Sequence, residues 1–474
     1  MTNLRRSSAV ALFSGALAIV SINAMSCKAT PVTAAPDTGA PIKIGVTIAL
    51  TGPSQGYGAT VQNAIKLASQ QINATGGILG RHVEFKIMDD ASDTDKVIKT
   101  NVQALLDEGV SAILGPVGSS QVIAIGDLIA KRKVIQISGS ATSSTLSTFQ
   151  PLTDRYFFRT VPPDTLQARA LSIFAARGPA AFKQADGGAS GMGADGGPPS
   201  SGCKRMAVVY NDDDYGKPFA DAVKVEFPAK SGGSVVFEAK VPADMKASYN
   251  TEVAGLVAAN PDCLAMIVYD PTADAFIREL KKGQESTPTL PPTFFIIGTD
   301  GSYTNDLISN GRLDKTNPNS PTIVEGMFGT NPDSNPETTQ YGEFKNLYLT
   351  QFPLDPGAND LGPSVANFYD AAVLAALAIQ AAGSTDNPVK IRDALYDVSR
   401  GKKNSAMPAR ALGPAQIGEA LEGIRNGDNI DYNGASGDCN FDESGNVVSD
   451  YIIWNVQNGQ FTTLAPRVKA SDLQ

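Results

Sequence analysis

The sequence is poor in the residues from which most catalytic and metal sites are built. Its 474 residues include one histidine, one tryptophan and four cysteines. A Ser-His-Asp hydrolase, a multi-histidine zinc centre or a facial-triad iron centre would each have to be built around His82. His82 stands beside Arg81 at the start of a predicted strand, where a surface histidine is much commoner than a catalytic one. The composition therefore disfavours enzymes that depend on histidine.

Positive charge is also scarce, with 39 Lys and Arg against 48 Asp and Glu, and the sequence pI is about 4.9. An acidic surface argues against a nucleic acid partner. Beyond the N-terminal region we find no apolar run of about 18 residues, so we expect no membrane-spanning segment there. The sequence has no phosphate-binding loop, no complete dinucleotide fingerprint and no nucleophile elbow. We therefore expect no catalytic activity, no cofactor and no metal site.

The N-terminal residues have the pattern of an export signal. Two arginines precede the apolar run 9–22, which is too short to span a bilayer comfortably and typical of a signal-peptide core. Small residues then precede Cys27, as in a bacterial lipobox, although Ala24 stands where leucine is usual. We predict a signal peptide over 1–26, with Cys27 as the lipidation candidate and 27–41 as a linker. The exported protein would be periplasmic or lipid-anchored, and ordinary secretion is the alternative to lipidation.

Apolar periodicity alternates between strand and helix along the rest of the chain. Repeated βα units over 42–137 predict a parallel sheet with helices on both faces. A Gly-rich stretch with few apolar residues, 178–202, predicts a loose surface insertion. The βα pattern restarts over 206–297 and is followed by Ala-rich helices and a β-like end with Asn458-Gly459 as its turn signal. The predicted fold class is α/β, with two Rossmann-like lobes that each contain a parallel sheet.

The cysteines permit one disulfide in an exported protein. If Cys27 is acylated, three cysteines remain. Cys203 precedes the first strand of the second lobe, and Cys263 precedes the third. In a doubly wound sheet of order 2-1-3 these strands are neighbours, so their amino ends lie about 5 Å apart. We predict a Cys203–Cys263 disulfide, with Cys439 left free or replacing one partner.

Polar residues follow several predicted strands at their carboxyl ends, where open α/β sheets bind ligands. In the first lobe these are Ser119-Ser120, predicted to cap the next helix, and the Ser/Thr cluster 138–144. Hydroxyl groups beside a capped helix start suit a carboxylate. In the second lobe Tyr215, Tyr269 and Asp300 occupy equivalent positions. One lobe therefore presents hydrogen-bond donors, and the other presents aromatic residues and an acid. This arrangement fits a zwitterion bound between the lobes.

These motifs together resemble those of the leucine/isoleucine/valine-binding family, the type I periplasmic solute-binding proteins of ABC importers. The resemblance covers nearly everything after Ile42 except the Gly-rich insertion. The matching segments are Ile42–Pro53, Tyr57-Gly58, Asn63-Ala64, Ile72–Ile78, Asp89–Ala91, Ile113–Gly115, Ser119-Ser120, the Ser/Thr cluster 138–145, Tyr215-Gly216, Ile277-Arg278, Gly298–Gly301, Tyr432–Gly437 and Phe441-Asp442 with Gly445.

The resemblance implies ligand-contacting positions on both lobes. Those for the ligand α-carboxylate are Ser119, Ser140 and Thr142, with the backbone of Ala141. Those for the ammonium and the side chain are Asp300, which would accept the ammonium, the aromatic residues Tyr215 and Tyr269, and Tyr57 on the wall of the side-chain pocket. The family's first-lobe cysteine pair is absent, since Ser92 and Gly118 stand at those places.

The resemblance further implies two lobes that close on each other about hinge crossovers, as in a Venus flytrap. The predicted segments are 42–160 and 328–428 for lobe 1 and 161–327 and 429–466 for lobe 2, with hinges near Val161, Met327 and Asn429. The implied function is capture of an amino acid, of the branched-chain type, and its delivery by a monomeric protein to an ABC permease in the inner membrane. The alternatives are binding of an amide, urea or aromatic acid, or a role as a ligand-sensing receptor domain.

Overall fold

The computed structural model describes residues 39–184, 202–286, 289–317, 319–334, 336–354 and 361–473. The predicted signal peptide and the lipidation candidate Cys27 lie outside these residues, as does most of the predicted insertion at 178–202.

The first part of the chain folds into a parallel sheet with helices packed on it. The first strand buries every residue except Lys43, because its alternating Ile and Val side chains have neighbours on both faces. The strands are β1 (Ile42–Ile48), β2 (Val83–Asp89), β3 (Ala112–Leu114), β4 (Ile135–Ser138) and β5 (Phe157–Arg159), in the order β2-β1-β3-β4-β5. The helices are α1 (Gly58–Ala74), α2 (Thr94–Lys96), α3 (Gln103–Asp107) and α4 (Ser119–Arg132), with a π-helix, Val97–Val102, between α2 and α3.

The chain then crosses to a second sheet, which forms the core of the other lobe. The strands of this part are β6 (Lys183–Gln184), β7 (Arg205–Asn211), β8 (Ser234–Val241), β9 (Cys263–Ile267), β10 (Phe295–Gly298) and β11 (Phe328–Pro332). The helices are α5 (Asp164–Arg177), α6 (Gly216–Ser231), α7 (Asn250–Ala259), α8 (Asp270–Ser286) and α9 (Asn305–Gly311). The order β8-β7-β9-β10-β11 is parallel throughout and is the doubly wound arrangement expected from the sequence.

A disulfide joins Cys203 to Cys263 at the amino edge of this second sheet. Strands β7 and β9 are neighbours with Met206 opposite Cys263, which brings the two cysteine Cα atoms to 5.8 Å. Cys439 is a buried free thiol, and its Sγ lies 3.8 Å from Asp370 Oδ2.

The third part of the chain returns to the first lobe. Its elements are α10 (Thr339–Gln351), α11 (Val365–Ala382), α12 (Pro388–Arg400), β12 (Arg410–Leu412), α13 (Ile417–Asn426), β13 (Ile430–Gly434) and β14 (Gly437–Asp438). Helix α11 is long and apolar enough to cross a membrane, which corrects the expectation that no such run follows the N-terminal region. It lies buried between other elements of the first lobe, α1 and α12 among them, as a core helix does.

The last part completes the second sheet with an antiparallel hairpin, β15 (Tyr451–Gln457) and β16 (Gln460–Val468). The hairpin turn is Asn458-Gly459, and both residues have positive φ, 53° and 67°. Two residues that accept left-handed backbone are what a tight hairpin turn requires.

Two of the predicted lobe boundaries are wrong. Strand β11 pairs with β10 and β15, so lobe 2 extends to Pro332 instead of ending at 327. Ile430 and Tyr432 of β13 are buried in the first-lobe core, so lobe 1 continues past 428 to the start of β15. The first crossing, between β5 and α5, contains Val161, where a hinge was predicted. Alternating apolar residues predict a strand but do not say which of two cores receives it.

Candidate ligand-binding site

A narrow cavity lies between the two lobes, at the carboxyl ends of their strands, and its 270 Å³ of empty space includes solvent at the open side. The first lobe contributes Tyr57, Val117, Gly118, Ser119, Ser140 and Thr142 to its wall. The second lobe contributes Tyr215, Tyr269, Asp300 and Gly301. Every residue implied by the resemblance lies on this wall except Ala141.

The loop after β4 keeps one backbone N–H available on the cavity side. The N–H groups of Ser140 and Ala141 both donate to Ser138 Oγ, at 3.3 and 3.0 Å. The N–H of Ser143 donates to the hydroxyl of the first residue of α4, at 3.2 Å. Thr142 lies on the cavity wall, and its N–H has no partner among the described residues. An unpaired donor beside a helix amino end suits an anionic group.

Ala141 does not reach the cavity. Its side chain packs with Val122, Leu146 and Phe157 behind the loop. Its N–H is bonded to Ser138, and its carbonyl accepts from Arg159 Nη1 at 3.2 Å. Both of its backbone groups are therefore engaged away from the ligand site, which corrects its predicted role.

The two serines at the start of α4 form long-range contacts instead of capping the helix. The N-cap residue is Gly118, and no side chain caps this end. Ser119 Oγ accepts from Ser143 N–H within the first lobe, and Ser120 Oγ accepts from Asp214 N–H of the second lobe at 3.1 Å. The predicted cap is wrong because these hydroxyls have partners from distant parts of the chain.

The second-lobe wall is organised around Asp300. Tyr215 Oη donates to Asp300 Oδ1 at 3.0 Å and lies 2.7 Å from Thr299 Oγ1. The rings of Tyr215 and Tyr269 are stacked, with centroids 5.4 Å apart. Asp300 is only 8% exposed, and this burial raises the pKa of its carboxyl to about 6, although the hydrogen bond from Tyr215 opposes the shift.

A second buried carboxylate, Asp164, was missed by the sequence analysis. It is the first residue of α5, it is fully buried, and neither oxygen has a hydrogen bond of good geometry among the described residues. Burial and then the charge of Asp300 raise its pKa well above the ordinary range, while Thr142 and Arg159 lower it. The signal was available in the sequence, because Asp164 is an acid at a helix start just beyond the carboxyl end of a strand.

The lobes touch across the cavity, so the structure is a closed form. Tyr57 Oη of the first lobe donates to the Asp300 carbonyl of the second at 2.8 Å. Gly56 packs so closely on the second lobe that a Cβ there would lie 3.1 Å from Asp270 Oδ2 and 3.2 Å from Thr304 Oγ1. Small size at position 56 therefore permits this degree of closure.

Gln121 occupies the space where the family resemblance places a cysteine pair. Its Nε2 donates to the carbonyl of Ser92, and its Oε1 lies 2.0 Å from the point that a Cβ of Gly118 would occupy. An amide side chain therefore connects the two loops that carry Ser92 and Gly118.

Neither the histidine nor a metal-ligand cluster contributes to this site. His82 is exposed and is not on the cavity wall. Within the described ranges, no group of three or more His, Cys, Asp or Glu side chains could hold a metal ion.

Comparison with known proteins places the chain in a family. The family model described as periplasmic binding protein matches residues 41–412. The Leu/Ile/Val-binding protein BraC3 of Rhizobium johnstonii is 31% identical over 210 residues, 44% of this chain and 50% of that protein, so the alignment spans half of that relative. Leu/Ile/Val-binding protein homolog 3 of Brucella melitensis is 23% identical over 358 residues, 76% of this chain and 84% of that protein.

Solved structures share the fold. The branched-chain amino acid transporter substrate binding protein LivJ of Streptococcus pneumoniae, in complex with isoleucine, has a TM-score of 0.66 and 19% identity over 91% of this chain and all of that one. A solute binding protein of an ABC transporter from Rhodopseudomonas palustris, in complex with 3,4-dihydroxybenzoic acid, has a TM-score of 0.65 and 18% identity over 91% of this chain and 98% of that one. The family match and the two-lobed fold agree, and the chain belongs to the periplasmic binding protein family, the solute-binding proteins with the type I fold.

Proposed function

We propose that this protein is the extracytoplasmic solute-binding component of an ABC importer and that it captures a free amino acid of the branched-chain type. The observation that carries this proposal is the polarity of the cavity. Thr142, whose N–H has no partner among the described residues, is on the first-lobe wall, and an acid, Asp300, is on the second. A zwitterion of amino-acid size has one charged group for each wall.

The ligand carboxylate would accept from Thr142 N–H and from the hydroxyl of Ser119, whose oxygen already accepts from Ser143 and whose hydrogen remains to donate. The ligand ammonium would donate to the carboxylate of Asp300. Hydrogen bonds between charged groups are shorter and roughly twice as strong as neutral ones. These contacts recognise the main-chain part of any amino acid.

The remaining residues of the cavity wall favour a ligand with an uncharged side chain. Neither lysine, arginine nor histidine is among the residues on the cavity wall, so a second carboxylate on the ligand would be buried without a counter-charge. Tyr57 and Val117 provide apolar surface in a cavity that has little room for a large group. The names of the Leu/Ile/Val-binding relatives support an aliphatic side chain.

An aromatic acid is the main rival, since one structural neighbour is solved with such a ligand. It would satisfy Thr142 N–H and could pack on Tyr215 and Tyr269. It has no ammonium, however, so the Asp300 carboxylate on the second-lobe wall would stay buried without a ligand cation to bind. Buried carboxylates without partners are strongly unfavourable, and the cavity therefore favours an amino acid.

Ligand binding would favour the closed form because each lobe holds only part of the ligand's polar partners. The contacts from Tyr57 to the Asp300 carbonyl and from Asp214 to Ser120 then add lobe-to-lobe bonds. The closed protein, a monomer in the periplasm or anchored to the membrane by a lipid, would dock on its permease.

Calorimetry on protein stripped of ligand by unfolding and refolding tests this function. The panel contains the twenty amino acids, benzoate, hydroxybenzoates, urea and short amides. We expect heat from leucine, isoleucine or valine and no measurable heat from aromatic acids. Binding of aromatic acids alone would replace the amino-acid assignment, and an absence of heat for the whole panel would overturn the ligand class.

A further inference from the structure

Arg159, the last residue of β5, is fully buried behind the loop that carries Thr142. Its guanidinium donates to four groups, all of them neutral. The acceptors are Asn446 Oδ1 at 2.8 Å from Nε, the carbonyls of Ala141 and Ser143 at 3.2 and 2.9 Å from Nη1, and Ser147 Oγ at 2.8 Å from Nη2.

No carboxylate forms an ion pair with Arg159 in the part of the chain that the structure describes. Burial lowers its pKa to about 10, and the nearby charge of Asp164 raises it, so the guanidinium stays charged at neutral pH. A buried cation without a directly bonded anion is unfavourable in a folded protein. Its positive potential acts on its surroundings, which include the buried carboxyl of Asp164 and the other side of the loop.

The loop geometry makes that other side the cavity. The Ala141 carbonyl and the Thr142 N–H belong to one trans peptide, whose C=O and N–H groups point in opposite directions. Because Arg159 holds the Ala141 carbonyl behind the loop, the Thr142 N–H points forward, and Thr142 lies on the cavity wall. A carbonyl that accepts from a cation also polarises its peptide, which strengthens the N–H as a donor.

We propose that Arg159 is the positioning residue for the ligand carboxylate: without touching the ligand, it orients and polarises the Thr142 N–H and supplies positive potential through the loop. This role rests on the proposed function, because it requires a ligand that carries a carboxylate. It makes the protein selective for that carboxylate and leaves recognition of the ammonium to Asp300.

Arg155 provides a matched control, because it donates to carbonyls of the same loop. It is also buried, and it donates to the carbonyls of Leu146, Ser147 and Gln150 at 2.7–3.1 Å. These bonds hold the half of the loop that does not line the cavity. A purely structural role of either arginine would therefore affect all ligands alike.

The test compares the affinity for the best amino acid with that for its primary amide, which keeps the ammonium and lacks the carboxylate charge. Competition calorimetry measures both in wild-type protein and in Arg159→Met, Arg159→Lys, Arg155→Met and Arg155→Lys. We expect Arg159→Met to weaken amino-acid binding about 10- to 100-fold and to change amide binding less than about 3-fold. Arg159→Lys, which keeps the charge, should restore part of the selectivity, and both Arg155 variants should keep the wild-type ratio.

Equal losses for the two ligands, an unchanged ratio in both Arg159 variants, or the same change in ratio in the Arg155 variants would each overturn the proposal. If Arg159→Met does not fold, as judged by circular dichroism, the ratio in Arg159→Lys decides, and an unchanged ratio there counts against the role. Wild-type protein that binds the amide as tightly as the amino acid would also overturn it. Wild-type protein that binds no amino acid would instead contradict the proposed function itself.

Discussion

Asp300 is the ionisable group on the cavity wall, and its environment sets how binding should respond to its removal. Its carboxyl is nearly buried and is held by Tyr215, while its own backbone carbonyl accepts from Tyr57 of the other lobe. Replacing the charge removes the partner of the ligand ammonium but leaves the backbone contact from Tyr57 in place. The effect should therefore appear in ligand affinity and not in the fold.

We predict that Asp300→Asn weakens amino-acid binding by about 2–5 kcal/mol, the usual result of removing one partner of a buried charged pair. Burial raises the pKa of Asp300 to about 6 in the ligand-free site, and a bound ammonium would lower it again. Wild-type affinity should therefore fall as the pH drops below about 6, by up to about tenfold per pH unit, and the variant should lack this slope. Calorimetry from pH 5 to 7.5 measures both effects.

The exposed Asp107, replaced by Asn, is the matched control for this experiment, because it lies on the first-lobe surface and not on the cavity wall. An affinity for Asp300→Asn within a few-fold of the wild-type value would show that the ligand ammonium is bound elsewhere.

The elements of the second lobe are linked by the disulfide at the edge opposite the ligand. Cys203 and Cys263 sit at the amino ends of β7 and β9, whereas the cavity lies at the carboxyl ends of the strands. A crosslink in that position stabilises the sheet without taking part in binding. Stability and affinity should therefore respond separately to its removal.

We predict that the Cys203→Ala/Cys263→Ala double variant loses about 4 kcal/mol of second-lobe stability, since the bond closes a loop with a sequence separation of 60 residues. Amino-acid affinity at 25 °C should stay within a few-fold of wild type. Denaturant unfolding followed by the single tryptophan, Trp454 of β15, reports on this lobe, and Cys439→Ala is a control that removes a buried thiol without opening a loop. If the double variant lost amino-acid binding while its stability stayed unchanged, the disulfide would not have the purely stabilising role that we assign to it.

At the scale of the whole molecule, the contact between the two closed lobes buries an acid that lies outside the ligand cavity. Asp270, at the start of α8, faces Gly56 of the other lobe and accepts from Thr304 Oγ1. Its second carboxylate oxygen has no hydrogen bond among the described residues. Burial raises the pKa of Asp270 to about 8, so the closed protein holds it as the neutral acid at neutral pH.

We predict that this carboxyl makes the protein less stable as the pH rises. A raised folded-state pKa means that the stabilising contribution is complete below about pH 4, the unfolded value, and is lost progressively up to about pH 8. The loss is at most about 1.4 kcal/mol per pH unit in this window. Asp270→Asn should therefore be more stable than wild type at pH 8 and should show a smaller difference between pH 5 and pH 8.

Thermal and denaturant unfolding of protein saturated with its best amino-acid ligand at the two pH values measures this difference, with the exposed Asp386→Asn as a control. A wild-type pH slope that Asp270→Asn fully retains would mean that other groups cause it.

Local patterns in the sequence were sufficient for the elements, and these patterns together with the family resemblance pointed to most of the candidate site. The buried run Ile42–Ile48, the hairpin turn Asn458-Gly459 and the alternation of strand and helix each express a preference that depends on neighbouring residues alone. The positions of Ser119 and Asp300 after predicted strands were enough to place them at one edge of their sheets, because parallel strands bring their carboxyl ends together.

Long-range contacts decided the rest. Contacts between residues distant in the chain place β13 in the first lobe. Hydrogen bonds of the same kind turn Ala141 away from the cavity, and they decide which N–H of the loop after β4 has no partner among the described residues. Arg159 could be recognised only once the fold had buried it, since burial without a direct ion-pair partner is a property of the surroundings and not of the residue. Short-range preference therefore determined the two sheets and the residues at their edges, and tertiary packing alone decided which of those residues face the ligand.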